Sequence, residues 1–145
     1  MKKIIALLIA VITLFSSVGV FAEQSVAVTL DGQQIEFDVP AQVINDRTMV
    51  PMRKIFEALG ATVDWVEAEQ GIVAIKGSKL IAMKIDSSIM LVTDVVTGEQ
   101  KRIELDVPPM IVDDRTLVPV RAISESLGVT VDWIEETQTV VLTSN

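Results

Sequence analysis

The sequence contains one segment twice. Displacing the 145-residue chain by 68 residues aligns Ile35–Val73 with Ile103–Val141, and 22 of these 39 positions carry the same residue. Both copies contain the segments D-V-P, D-R-T, V-P-x-R and L-G-x-T-V-D-W in this order. A unit of about 60 residues buries too little surface to be stable alone. Because the chain also has no cysteine, and therefore no disulfide, we expect the two copies to share one hydrophobic core.

Each copy begins with a predicted β-hairpin. Two segments, 26–30 and 34–39, flank Asp31-Gly32, a dipeptide that tolerates the positive φ angles of a two-residue hairpin turn. The second copy repeats the pattern over residues 89–107 with a longer pair of strands. The D-V-P segment then ends the pairing, because proline has no N–H to donate to a neighbouring strand.

A short helix follows in each copy. Apolar residues at helical spacing lie between a proline and a glycine: Met52, Ile55, Phe56 and Leu59 between Pro51 and Gly60, and Val120, Ile123 and Leu127 between Pro119 and Gly128. We expect the prolines to occupy the first helical turn. Alternating segments then predict strands over residues 63–65, 72–76, 79–86, 131–133 and 139–143. The sequence therefore predicts an α+β fold of two pseudo-symmetric repeats, at about 26–86 and 87–143, each an antiparallel β-sheet packed on one short α-helix.

The first 22 residues have the pattern of a signal peptide. A basic start, Met1-Lys2-Lys3, precedes an apolar run to Phe15 and a stretch of small residues that ends at Ala22. We expect cleavage after Ala22 and a single folded domain over residues 26–143. The alternative is a retained anchor, although the apolar run is shorter than the roughly 20 residues that a spanning helix needs. The protein is thus predicted to be secreted or extracellular. Association with the cell wall is compatible with this prediction.

The charge of the chain argues against nucleic acid as a partner. The net charge is −8, and it becomes −10 once Lys2 and Lys3 are removed with the signal peptide. An acidic surface repels the phosphate backbone of nucleic acids. After cleavage no membrane contact is expected either.

The repeated motif resembles the copper amine oxidase N-terminal domain-like family, also called the stalk domain, of secreted proteins from Gram-positive bacteria. The resemblance covers nearly the whole chain after the signal peptide, in both copies. The residues that carry the structural part of the motif are Asp46, Arg47, Pro51, Arg53 and Gly60, with Asp114, Arg115, Pro119, Arg121 and Gly128. It implies a small sheet wrapped on a helix that serves as an accessory or stalk module, and it does not imply copper.

Catalysis is not expected of this chain. The amine oxidase centre needs histidine ligands and a tyrosine-derived quinone, and the sequence has neither His nor Tyr. Without His or Cys, the usual nucleophiles and zinc sites are also missing. A carboxylate-based hydrolase remains chemically possible, with Asp46 beside Asp64 and Asp114 beside Asp132. We predict no cofactor and no metal: the methionines are read as core residues and the acidic loops as solvated surface.

Four residues could contact a partner. Trp65 and Trp133 could stack on a sugar ring or dock a protein, although core packing is the simpler reading. Arg47 and Arg115 could bind an anion, although ion pairs with loop acids are the better explanation. For Arg53 and Arg121 the glutamates four residues later on each helix are further candidate partners. The favoured function is a non-catalytic interaction or stalk module that contacts a cell-envelope protein or polymer. The alternative is a secreted regulator or inhibitor of an envelope enzyme.

Overall fold

The computed structural model describes residues 26–145, and the predicted signal peptide lies outside them. These residues form strands β1 (Ala27–Leu30), β2 (Gln33–Gln34), β3 (Gln42–Ile44) and β4 (Arg47–Pro51), helix α1 (Met52–Ala58), then β5 (Thr62–Val66), a 3-10 turn (Glu67–Glu69), β6 (Gly71–Lys76), β7 (Lys79–Lys84), β8 (Ile89–Asp94), β9 (Gln100–Glu104), β10 (Met110–Val112) and β11 (Arg115–Pro119), helix α2 (Val120–Ser126), β12 (Thr130–Ile134) and β13 (Thr139–Thr143). The predicted α+β fold class is confirmed.

A four-stranded central sheet relates the two copies to each other. Its strand order is β10-β11-β4-β3, so that β11 and β4, one from each copy, lie antiparallel in the middle. Val50 pairs directly with Val118, its own equivalent in the repeat. Pro51 pairs with Leu117 in the same reciprocal way that Met49 pairs with Pro119. A pseudo-two-fold axis therefore passes between Val50 and Val118.

The two outer sheets combine strands of both copies. One has the order β12-β13-β1-β2 and the other β5-β6-β7-β8-β9. In the first of them β1 and β13 are parallel, in a register that joins Ala27 to Thr139 and Leu30 to Leu142. The expectation of one antiparallel sheet per repeat is wrong on this point. Each repeat instead completes a sheet with the first hairpin of the other, which pairs a strand edge that would otherwise be open.

One hydrophobic core serves both copies, as the repeat predicts. Phe56 and Ile55 of α1 and Ile123 of α2 are fully buried in the same cluster, together with Val28 of the first strand and Leu142 of the last. A smaller cluster of Met49, Val107 and Leu117 forms separately from it. Because the main cluster spans the pseudo-two-fold axis, neither repeat has a complete core of its own.

Both helices are short and are bounded as the sequence suggests. Pro51 is the N-cap residue of α1 and also the last residue of β4, one position earlier than expected. After the helix, Gly60 has a φ of +83°, and its N–H donates to the carbonyl of Glu57 at 3.0 Å. Only a residue that tolerates positive φ ends a helix in this way without strain. Within residues 26–145, no helix has the length and apolar character that crossing a membrane requires.

Two hairpins of the central sheet are missing from the sequence prediction. Asn45 and Asp46, with φ angles of 49° and 65°, form the two-residue turn between β3 and β4. Asp113 and Asp114 do the same between β10 and β11. The D-R-T segment is therefore the end of a tight turn that runs into a strand. Asparagine and aspartate adopt this conformation more readily than other non-glycine residues.

Candidate functional site

Two equivalent ion pairs connect the copies. The Nε atom of Arg47 lies 2.9 Å from Oδ2 of Asp106, and the Nε atom of Arg115 lies 2.9 Å from Oδ2 of Asp38. The hydrogen bond from Arg115 lowers the pKa of Asp38, and Asp38 in turn raises the pKa of Arg115. Each arginine follows a hairpin turn and each aspartate belongs to the D-V-P segment of the other copy. The ion pairs therefore fasten the two repeats across the pseudo-two-fold axis.

The remaining arginine contacts are also reciprocal. Nη1 of Arg47 donates to the carbonyl of Asp46 at 3.2 Å, and Arg115 makes the same contact with Asp114 at 3.4 Å. These bonds stabilise the tight turns that precede β4 and β11.

The arginines of the helices hold the strand that follows each helix. Nη1 of Arg53 donates to the carbonyl of Val63, and Nη1 of Arg121 donates to that of Val131, both at 3.4 Å. Arg121 also forms an ion pair with Glu125 at 3.3 Å. The described residues contain no matching pair between Arg53 and the glutamate at position 57. The four arginines thus have structural contacts. Loop acids are the partners of Arg47 and Arg115 only, and these acids belong to the opposite copy.

Two grooves lie at equivalent positions on the protein. The first-copy groove runs along α1, has a volume of about 590 Å³ and is closed at one end by Asp114 and Arg115 of the other repeat. The second-copy groove runs along α2, has a volume of about 1100 Å³ and receives Asp46 and Arg47 from the first repeat. Each groove is therefore built by a helix of one copy and a hairpin tip of the other.

Substitutions within the repeat account for the larger volume of the second-copy groove. Ala122 lines it at the position where Lys54 lines the first-copy groove, which replaces a long side chain with a methyl group. Leu105, which also lines the second-copy groove, occupies the position of the larger Phe37. Both changes remove side-chain volume. The second-copy groove also extends to strands β9 and β12.

The two tryptophans differ in their surroundings. Trp65 is partly buried and packs against the main core, as expected. Trp133 is 38% exposed and lines the second-copy groove. Core packing, the simpler of the two readings, thus describes Trp65, while Trp133 is the more exposed of the two and borders a groove. The identical local sequence, T-V-D-W, thus occurs with two different degrees of exposure.

The exposed indole of Trp133 is held in place by hydrogen bonds. Its Nε1 donates to Oε2 of Glu135 at 2.5 Å. Gln138 donates through Nε2 to Oε1 of the same carboxylate at 3.5 Å and to its backbone carbonyl at 3.2 Å. Trp65 bonds to Glu67 in the same way at 2.5 Å. The polar edge of the Trp133 ring is thereby occupied, and the residue borders the second-copy groove.

The proposed acid pairs are not assembled as the sequence suggests. Asp46 lines the second-copy groove together with Asp132, and not together with Asp64. Asp114 lines the first-copy groove, which Asp64 does not border. Aspartates from opposite copies share a groove because the hairpin tip crosses to the other repeat. The two acid pairs named in the hydrolase hypothesis, Asp46 with Asp64 and Asp114 with Asp132, therefore do not share a groove.

The methionines pack in the hydrophobic clusters, and Asp94 of an acidic loop stabilises a turn. Met49, Met52, Met83 and Met90 are buried, at 0–7% exposure, within the hydrophobic clusters. Asp94 caps a turn, where its Oδ1 accepts hydrogen bonds from the N–H groups of residues 96 and 97 at 2.9 and 3.1 Å. These bonds lower the pKa of Asp94. Over residues 26–145 there is no group of three or more His, Cys, Asp or Glu side chains that could hold a metal ion.

Comparison with known families identifies the fold. The family model described as the copper amine oxidase N-terminal domain matches residues 29–142, which is most of the chain and includes both repeats. The chain belongs to this family. The copper amine oxidase N-terminal domain is a non-catalytic domain. A search of curated proteins finds no match to the chain.

The second-copy groove is the feature that sequence reasoning missed. The available signal was the set of positions where the two copies differ in size, above all Ala122 for Lys54 and Leu105 for Phe37. These positions become informative only when the topology places them on one surface. The positions that are identical in the two copies belong to the scaffold, and the positions that differ in size include lining residues of the groove.

Proposed function

We propose that the protein is a non-catalytic interaction module, secreted or held at the cell surface, that contacts a protein or a polymer of the cell envelope. Membership of a non-catalytic domain family supports the first part of this proposal. The export pattern of residues 1–22 supports the location. The net charge of −8 disfavours nucleic acid as the partner.

The observation that carries the proposal is the use of the motif's charged residues. Arg47 and Arg115 bind Asp106 and Asp38 across the two copies, while Arg53 and Arg121 bind strand carbonyls. The arginines that could have bound an anionic partner are thus engaged in holding the scaffold together. A rigid scaffold that presents a groove, without an assembled set of reacting groups, is suited to binding.

Retention on cell-envelope material tests the proposal. The protein, as recovered after export, is incubated with purified cell wall, with wall stripped of protein, and with solubilised surface proteins, and the bound fraction is measured after washing. We expect retention on at least one of these materials. Absence of retention on all three would contradict the proposal. Co-purification of one enzyme whose activity changes on binding would favour the alternative, a secreted regulator or inhibitor.

A further inference from the structure

We infer that the second-copy groove is a binding site for a neutral glycan, with Trp133 as the platform on which a sugar ring stacks. This inference rests on the proposed function, since it names the class of polymer that the module would contact. Three observations carry it: the exposure of Trp133, the way its ring is fixed, and the charge of the groove.

Trp133 is more exposed than its equivalent in the first repeat. The equivalent Trp65 occupies the same position of the same motif and packs against the core. Leaving 38% of a tryptophan exposed forgoes part of the free energy that burying an aromatic side chain contributes. A binding role accounts for this difference between two otherwise repeated sites.

The ring of Trp133 is oriented before any ligand arrives. Its N–H is bonded to Glu135, and Gln138 bonds to the same carboxylate. A ring held in one orientation loses little conformational entropy when a ligand stacks on it, which raises affinity. With the polar edge occupied, the remaining surface of the indole is the apolar face that the C–H groups of a pyranose ring would cover.

The groove offers polar groups for hydroxyl groups and an unfavourable charge for anions. Six acidic and four basic side chains line it, which gives a formal charge of −2. Carboxylates accept hydrogen bonds from hydroxyl groups, and arginine and lysine donate to them. Several of these groups are engaged within the protein, but the side chains of Lys101, Glu104 and Asp132 have no hydrogen bond among the described residues. The net negative charge disfavours an acidic polymer, whereas a neutral polyhydroxyl chain finds both a donor and acceptors.

The groove lies beside the edge strands β9 and β12, to which a peptide could add as a further strand. One contact at β12 makes this mode of binding unfavourable. Strand addition needs the free carbonyl and N–H groups of an edge strand. On β12 the carbonyl of Val131 already accepts a hydrogen bond from Arg121 at 3.4 Å. The side chain of Arg121 thereby obstructs the edge at the residue that a peptide would meet beside Trp133.

The test uses the full protein and two variants that change opposite grooves. Ala122→Lys introduces into the second-copy groove the side chain that Lys54 places in the first-copy groove, at a helical position that accepts lysine there. Lys54→Ala makes the reverse change in the first-copy groove and is the matched control. Trp133→Ala removes the platform itself. Trp65→Phe leaves Trp133 as the only indole of the chain, so that its fluorescence reports on binding.

The probes are the tetrasaccharides of N-acetylglucosamine and of glucose, both β-linked and uncharged. We expect at least one to bind, to change the emission of the Trp65→Phe variant, and to bind about tenfold more weakly or worse to Ala122→Lys and Trp133→Ala. Lys54→Ala should bind as the wild type does. Urea unfolding of each variant separates loss of binding from loss of the fold.

Three results would overturn the glycan assignment. The first is that neither tetrasaccharide binds, and the second is that Ala122→Lys and Trp133→Ala bind it as tightly as the wild type. The third is that the wild type is retained on solubilised surface proteins and not on cell wall stripped of protein. The proposed function would fail separately. If cell-wall material retains Trp133→Ala as well as the wild type, the groove assignment is wrong while the interaction module stands. If no envelope material retains the wild type, the proposed function fails.

Discussion

Truncating the valines at the pseudo-two-fold axis should destabilise the protein through both copies at once. Val50 and Val118 are fully buried, belong to the main core, and face each other on paired strands. Since each is the repeat equivalent of the other, Val50→Ala and Val118→Ala remove the same atoms from two sides of one contact. The two substitutions are therefore expected to have similar effects.

The magnitude follows from the groups removed. Each substitution deletes two buried carbon atoms, at about 0.8 kcal/mol for each, and leaves a cavity that adds to this transfer term. We expect each single variant to lose about 2–3 kcal/mol of the free energy of unfolding. Domains of this kind are stable by about 5–15 kcal/mol in total, so the double variant should approach the limit of stability.

Urea unfolding followed by tryptophan fluorescence measures these effects. Because the truncated side chains share one cavity, the double variant should deviate from the sum of the single effects by about 0.5 kcal/mol or more. Val28→Ala in β1, a buried position in another sheet, provides the control, since its combination with Val50→Ala should be additive within about 0.5 kcal/mol.

Two results would refute the shared core. One is a large loss from Val50→Ala with a negligible loss from Val118→Ala. The other is a separate transition for each copy, which single-tryptophan variants can detect because Trp65 and Trp133 lie in different repeats. Coincident transitions at both indoles are expected instead.

Three further predictions concern single positions. Ser124→Ala should raise the free energy of unfolding by about 1 kcal/mol in urea titrations, because the Ser124 hydroxyl is buried and has no hydrogen-bond partner among the described residues; a loss of stability would contradict this reading. Asp38 has a lowered pKa, so its contribution to stability is present above its unfolded-state pKa of about 3.9 and is lost as the pH falls through the lower folded-state value. Unfolding curves between pH 6 and pH 3 should accordingly show a weaker pH dependence in Asp38→Asn than in the wild type, and equal dependence would refute the link to Arg115. Gly128→Ala should lower the free energy of unfolding by about 1–2 kcal/mol, seen as a lower Tm, because φ is +82° at this position. A steric clash does not contribute, since the atom nearest to an added Cβ lies 3.8 Å away.

The local elements were largely predictable from the sequence. Helix α1 has apolar residues at helical spacing between Pro51 and Gly60, and the hairpin at Asp31-Gly32 has its expected positive φ angles. The helix and the turn both depend on residues that are close in sequence, and the order of such residues can be read from the sequence alone. The turn at Asn45-Asp46 was missed because it lacks glycine and joins short strands.

The partners of the strands and of the arginines could not be predicted. Alternation places a strand on a sheet but does not select its neighbour, and β1 pairs with β13 more than 100 residues away. The arginines were expected to find loop acids, and only the topology determines that Arg47 meets Asp106. Likewise, T-V-D-W does not reveal that Trp133 borders a groove, because other residues that line it, such as Leu105 and Ala122, lie in other parts of the chain.

The parallel pairing of β1 with β13 has a mechanical consequence. Chain that enters at Ala27 and chain that leaves at Thr143 do so at opposite ends of this pair of strands. Tension applied through the flanking residues would therefore pull β1 and β13 past each other and load all their hydrogen bonds together. The side chain of Asp31 adds a further attachment, since it accepts hydrogen bonds from the N–H and the hydroxyl of Ser144 at 2.9 and 2.5 Å. In this geometry, extension of the domain requires all the hydrogen bonds between β1 and β13 to break together. Breaking them together requires more force than breaking the same bonds one after another.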